Sequence, residues 1–225
     1  MNTAIIVAAG SGKRFAGSQP KQFVPILGKP LIIHTLERFE SCPAIDEIVL
    51  VLSEEGRREF EIINLKFEIS KLRSIVAGGA TRAESVKNGL EAVNSSSDIV
   101  AVHDGARPLV SVDEITLTIE KAKETGAASL VADVTDTIKE IDGEYISRTI
   151  DRQNLRRALT PQAFRYDILR KAFEGVELAE SITDECYLVE KLGVKIAIIE
   201  GNARNIKVTR SEDLVLAESY LKENA

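Results

Sequence analysis

Short apolar runs alternate with amphipathic stretches along this 225-residue chain. Thr3 to Val7 is compact, apolar and partly β-branched, the pattern of a strand buried on both faces. A loop rich in Gly, Ser and Pro follows, from Gly10 to about Pro30. Pro30 then opens a helix whose inner side carries Leu31, Ile32, Leu36 and Phe39. Glu47–Leu52 and Ser74–Ala77 predict two more strands, with a charged helical segment around Glu54–Lys66 between them. Thr81-Arg82-Ala83-Glu84 has capping-box spacing, after which Ala83, Val86, Leu90 and Val93 recur at helical period. Ile99–His103 is the next strand, and Ser111 to Glu114 repeats the capping-box spacing before a helix to about Thr125. Ala128–Val134 is again a strand. The alternation predicts an α/β fold, a mostly parallel sheet covered by helices.

The rhythm changes after Val134. Thr137–Glu140 and Glu144–Ile150 flank Asp142-Gly143, the signature of a tight hairpin. A lone two-stranded hairpin is marginal in water, so it packs either on its own domain or on a second subunit. Helices near Tyr166–Glu174 and Asp184–Leu192, a strand Val194–Glu200 and a last helix from Ser211 complete the pattern. Repeats, low-complexity tracts and linker-like shifts are absent, so residues 1–225 read as one domain.

Composition narrows the function. With 44% hydrophobic and 28% charged residues, a sizeable core is feasible. No apolar run nears the ~20 residues of a membrane-spanning helix, and Ala4 to Ala9 is too short for a secretory core and lacks a preceding basic flank. Cys42 and Cys186 have no metal-type spacing and read as buried thiols of a reducing compartment, so a cytoplasmic protein is expected. The net charge of −6 argues against a general nucleic-acid binder. The distribution is more telling: the first 36 residues carry +4 and the rest −10. A local positive stretch in an acidic protein suits a small polyanion better than a long polymer.

Three polar clusters fall at strand C-termini, where open α/β sheets bind ligands. Ala8-Ala9-Gly10-Ser11-Gly12-Lys13-Arg14-Phe15 is neither a P-loop nor a dinucleotide fingerprint, because Val7, Arg14 and Phe15 stand where those motifs need other residues. What remains is a small-residue loop that admits phosphates to backbone N–H groups, with Lys13, Arg14 and Lys21 to neutralise them. Gly78-Gly79-Ala80-Thr81-Arg82 with Ser85 runs into a helix N-terminus, a place for base edges or an anion. His103-Asp104-Gly105-Ala106-Arg107-Pro108 offers Asp104 as a Mg²⁺ ligand, since Mg²⁺ binds through one or two carboxylates plus substrate phosphates. By themselves Asp151-Arg152, Leu159-Thr160-Pro161-Gln162 and Asn205–Arg210 read as a surface ion pair, a turn and an edge strand. His34 and His103 read as packed or capping residues, with no nucleophile–His–acid set to join.

Taken in order, these segments, with Pro20-Lys21-Gln22, Asp136-Thr137 and Asn205-Ile206-Lys207-Val208-Thr209, resemble the nucleotidyltransferase superfamily. They are most similar to the 2-C-methyl-D-erythritol 4-phosphate cytidylyltransferases, over nearly the whole chain. The resemblance implies a Rossmann-like domain, CTP and a polyol phosphate as substrates, a divalent cation such as Mg²⁺, and a homodimer gripped by a β-arm at about residues 136–152. It implies that Ala8, Ala9, Gly10, Gly12, Gly79 and Ser85 bind CTP, that Arg14, Lys21 and Lys207 are catalytic, and that Asp104 binds metal and ribose. Arg107, Thr137, Arg152, Thr160 and Lys207 would surround the acceptor phosphate, with Thr137 supplied by the other subunit's arm. Val7, Ala80 and Gly105 depart from residues common in that family, and Gly105 is expected to loosen a turn. Ribitol 5-phosphate cytidylyltransferases share the leader, the Lys21 segment and the Asn205–Thr209 segment, and are the nearest alternative.

Overall fold

The computed structural model describes residues 1–10, 15, 20–64, 66–178 and 182–223. Its centre is a seven-stranded sheet of order β11-β7-β10-β6-β1-β4-β5. The strands are β1 (Asn2–Val7), β4 (Glu47–Leu52), β5 (Leu72–Ala77), β6 (Ile99–Asp104), β7 (Ala127–Asp133), β10 (Arg156–Arg165) and β11 (Ala197–Glu200). Two short strands, β2 (Pro25–Ile26) and β3 (Lys29–Pro30), and a 3-10 turn at Lys21–Phe23 occupy the Pro-rich loop. The hairpin is β8 (Ile138–Asp142) and β9 (Tyr145–Ile150). Its loop begins at Gly143, whose φ of +56° glycine adopts at no steric cost.

β1 pairs in parallel with β4 and β6, as do β4 with β5 and β7 with β11. Every residue of β6 is buried, as continuous apolar runs between two helical layers require. Because side chains alternate along a strand, Ala4 and Ile6 enter one layer and Ile5 the other. The first layer holds α1 (Leu31–Glu40), α2 (Glu54–Asn64) and α4 (Val112–Thr125), anchored by Phe39, Phe60 and Ile119. The second holds α3 (Arg82–Glu91), α5 (Tyr166–Phe173) and α6 (Glu185–Lys191), anchored by Val86, Leu169 and Val189. Both capping boxes form, Thr81 with Glu84 and Ser111 with Glu114. The last helix, α7 (Ser211–Glu223), packs Ala217 and Leu221 with Val208, Ala106 and Leu31. No helix among the described residues is long and apolar enough to cross a membrane.

Three expectations need correction. Leu159-Thr160-Pro161-Gln162 is not a turn but lies inside β10, a ten-residue strand running antiparallel between β6 and β7. Pro161 is tolerated there because the pairing with β7 breaks register between Ala158 and Gln162, where a missing N–H costs no ladder bond. Asn205–Thr209 forms no strand; it is an irregular segment held by the Val208 N–H on the Ala106 carbonyl. The strand expected from Val194 begins only at Ala197.

Candidate active site

The C-terminal ends of β1, β5 and β6 open into a cavity of about 610 Å³. Ala8, Ala9 and Gly10 line it just after β1, Gly79 from the β5–α3 turn, Ser85 from the first turns of α3, and Asp104 from the end of β6. Lys21 and Lys207 complete it, from the Pro-rich loop and the segment before α7. Glycine is required where these loops meet. A Cβ on Gly78 would stand 2.3 Å from the Ala9 Cβ, and one on Gly105 would stand 2.8 Å from the Ala8 Cβ and the Ile32 side chain. Gly105 therefore lets the first loop lie close against the third, instead of loosening a turn.

Asp104 is the electrostatic hub. Its Oδ1 accepts from Arg82 Nε at 3.2 Å, and its Oδ2 from Arg107 Nε at 3.3 Å and Lys207 Nζ at 3.0 Å. Burial alone would raise the Asp104 carboxyl, but Arg82, Lys207 and Arg107 outweigh it and hold it far below the usual carboxylate range. Arg82 is itself clamped, giving Glu185 two hydrogen bonds of 2.6 and 3.2 Å. Glu185 is 1% exposed and burial pushes its carboxyl up, while the guanidinium stays charged between two carboxylates. Burial also lowers the Arg107 guanidinium, against the pull of Asp104. Arg107 donates further to the Asn205 carbonyl at 2.7 Å, which ties the segment carrying Lys207 to the Asp104 turn. Lys21 Nζ donates to the Val208 carbonyl at 2.9 Å, so both lysines converge on one rim.

Other predicted residues are placed differently. Gly12 and Arg14 lie outside the described residues. Arg107 backs Asp104 without lining the cavity. Thr160 is 4% exposed, and its hydroxyl is engaged by His103 and the Asp104 backbone, so it supports the cavity floor from behind. Thr137 and Arg152 sit on the arm away from the cavity lining, Arg152 bonded to the Thr135 carbonyl. The N–H groups of Gly79 and Ala80 turn inward to Ser85 and Glu84, so the turn is pre-set by its own side chains. Arg82 and Glu185 complete the charge network, yet the sequence shows Arg82 only as part of a motif and gives Glu185 no prominence. An acid at a helix start reads as a dipole partner, and Glu185 lies 103 positions from Arg82.

His103 is fully buried, which lowers its imidazole to about 4. An unfolded histidine at 6.5 binds more protons than the folded one in that window, so this group's stabilisation is complete above pH 6.5 and is lost as pH falls to 4. The expected size is about 3 kcal/mol. Denaturant titrations of wild type and His103→Gln from pH 7 to 4 check it: the difference between the two curves narrows toward acid. A constant difference refutes it.

A mostly parallel α/β sheet whose strand ends bring two glycine turns, a buried carboxylate and converging lysines around one cavity defines an enzyme that handles nucleotide phosphates. A family model described as IspD, 2-C-methyl-D-erythritol 4-phosphate cytidylyltransferase, matches residues 2–223. The protein of that name from Syntrophus aciditrophicus is 40% identical over 223 residues, covering 98% of this chain and 95% of that one. A bifunctional enzyme IspD/IspF from Desulfotalea psychrophila is 43% identical over 99% of this chain, which spans 57% of that longer protein. The crystal structure of 4-diphosphocytidyl-2C-methyl-D-erythritol synthase from Anaerococcus prevotii superposes with a TM-score of 0.85 at 31% identity, covering 98% and 96% of the two chains. The chain belongs to the 2-C-methyl-D-erythritol 4-phosphate cytidylyltransferase family, and cytidylyl transfer is the chemistry of that family.

Proposed function

We propose that this chain transfers CMP from CTP to 2-C-methyl-D-erythritol 4-phosphate, releasing pyrophosphate and forming 4-diphosphocytidyl-2-C-methyl-D-erythritol for non-mevalonate isoprenoid synthesis. One observation carries the reading: Lys207 and Asp104, 3.0 Å apart, share a cavity with Lys21 and both glycine turns. An oxygen of the acceptor phosphate bonds to the α-phosphorus of CTP. The bond from that phosphorus to the oxygen bridging to the β-phosphate breaks, and pyrophosphate leaves with the electron pair. A phosphate monoester, with second pKa near 6, is largely ionised at neutral pH, so no general base is needed. His103, fully buried with both ring nitrogens engaged, is not placed to act as one. The barrier lies in bringing two anions together, and Lys21, Lys207 and Arg14 meet it by holding charge in place. Ala8, Ala9, Gly10, Gly12, Gly79 and Ser85 hold the nucleotide, while Arg107, Thr137, Arg152 and Thr160 serve the acceptor side, directly or from behind.

A divalent cation would take Asp104 as its one protein carboxylate, sharing it with Arg82, Arg107 and Lys207. Among the described residues no three His, Cys, Asp or Glu side chains cluster as a protein-only cage. Asp104, lining a cavity that also holds Lys21 and Lys207, matches the way Mg²⁺ is held by one carboxylate together with substrate phosphates. Bound there, the ion would neutralise triphosphate charge and polarise the α-phosphorus.

The arm serves dimerisation. Ile141, Tyr145 and Ile146 are 70%, 79% and 64% exposed on a hairpin that forms its own sheet. Such an apolar surface is stable in water only when covered. Sedimentation is expected to give a dimer for wild type and a monomer for Ile146→Asp; a monomeric wild type at micromolar concentration removes the arm's role.

The deciding assay is pyrophosphate release from CTP with 2-C-methyl-D-erythritol 4-phosphate or ribitol 5-phosphate, with and without Mg²⁺. Mg²⁺-dependent release with the first is expected. Release with ribitol phosphate alone reassigns the acceptor, and no release with either overturns the proposal.

A further inference from the structure

We infer that His103 is a positioning residue that sets the Asp104 carboxylate and the Arg107 turn at the same time, through Thr160 on one ring nitrogen and the Arg107 carbonyl on the other. The inference rests on the proposed cytidylyl transfer for its kinetic part, and on hydrogen bonding alone for the rest.

Within the sheet, β6 pairs antiparallel with β10 from Ile99–Arg165 to Val102–Gln162, and no ladder pair follows beyond that point. Asp104, two residues further on, therefore lacks a backbone acceptor from β10. The Thr160 hydroxyl takes that place, accepting the Asp104 N–H at 3.2 Å. Thr160 Oγ1 also lies 2.9 Å from His103 Nδ1, and His103 Nε2 lies 3.1 Å from the Arg107 carbonyl oxygen.

A carbonyl only accepts, so Nε2 carries the ring proton. In a neutral imidazole Nδ1 is then an acceptor, and the Thr160 hydroxyl must donate to it. Every donor in this chain points one way, from Asp104 N–H to Thr160, to His103, to Arg107. The ring is held by full burial and by Phe39, whose centroid is 4.8 Å away.

The far end matters equally. The Arg107 N–H donates to the Asp104 carbonyl at 3.0 Å, closing the turn that His103 braces from inside. The Thr160 carbonyl accepts from Asn205 Nδ2 at 3.0 Å, so the segment bearing Lys207 hangs from the same threonine. One imidazole thus references Asp104 and Lys207 at the cavity and Arg107 behind them. A shift of about 1 Å in such groups can cost on the order of a hundredfold in rate.

Two substitutions separate the halves. His103→Asn keeps an acceptor near Nδ1 and loses the donor to Arg107. His103→Gln keeps a donor near Nε2 and loses the acceptor for Thr160. His103→Gln and Thr160→Val are expected to share one phenotype, a fall in kcat of roughly tenfold to a hundredfold. His103→Asn is expected to act mainly by raising KM for the polyol phosphate, and Thr160→Ser to restore near-normal kcat. Equal losses in His103→Asn and His103→Gln, or a Thr160→Val enzyme with wild-type kcat, overturn the inference.

A readout independent of turnover keeps it testable. In ¹⁵N NMR of the wild-type protein, His103 is expected as the Nε2–H tautomer, and Thr160→Val is expected to move the Asp104 amide resonance more than Thr160→Ser does. A protonated Nδ1, or an Asp104 amide indifferent to Thr160, refutes the relay whether or not CTP is the substrate. Absence of transfer by wild type, with the NMR results as expected, refutes only the functional reading.

Discussion

Lys21→Ala is expected to lower kcat by roughly 10²–10³-fold while costing about 1 kcal/mol of stability, the scale of one hydrogen bond. The asymmetry follows from where the ammonium sits. In the resting protein Lys21 Nζ gives a hydrogen bond to the Val208 carbonyl, a contact the fold can replace with water. In the proposed transition state two phosphate groups are brought together, and water cannot supply the fixed positive charge that Lys21 adds at that rim. Steady-state kinetics with CTP and the acceptor, beside a thermal melt, separates the two effects. A rise in KM for CTP with kcat unchanged would reduce Lys21 to ground-state binding.

Asp104→Asn is the second large effect, and it strikes stability and activity together. The carboxylate balances Arg82, Arg107 and Lys207 at 3.0–3.3 Å, with 8% of its side chain exposed. An amide of the same shape leaves those cations without their shared counter-ion and turns an N–H₂ toward one of them. Breaking one member of a buried ion network costs about 3 kcal/mol or more. For a chain of this size that lowers the melting temperature by roughly 6–12 °C. Activity is expected to fall by at least roughly a hundredfold, with a higher Mg²⁺ concentration for half-maximal rate. A Mg²⁺ titration superimposable on that of wild type would remove Asp104 as a metal ligand, leaving its structural cost intact.

The sequence pattern was legible where one physical cause acts alone. Ala4 to Val7 and Ile99 to Val102 are apolar without a break, which predicts strands covered on both faces, and both lie in the interior of the sheet. Asp142-Gly143 predicts a hairpin because glycine readily takes the positive φ such a loop needs, and it does so. Two capping boxes locate α3 and α4 to the residue. The cavity followed from the same logic, since the small residues after Val7 and Ala77 allow loops to approach at distances any Cβ would forbid. β10 was missed because Pro161 in mid-segment argues against a strand, and what rescues it is a register break visible only once β7 lies alongside. Glu185 was missed for a related reason. Its value depends on Arg82 arriving from α3, and no local spacing records a partner that the fold delivers. His103 was correctly read as a packed residue, but which groups its nitrogens meet depends on β10, which the pattern concealed.

The route of the chain around the arm has a mechanical consequence. The polypeptide leaves the sheet at the end of β7, forms the hairpin, and returns as β10 between β7 and β6. The returning chain therefore enters an interior stave of the sheet, not a marginal one. That stave bears Thr160 against the end of β6. A partner holding the arm would thus act on a segment that continues, through residues 151–155, into the strand beside Asp104.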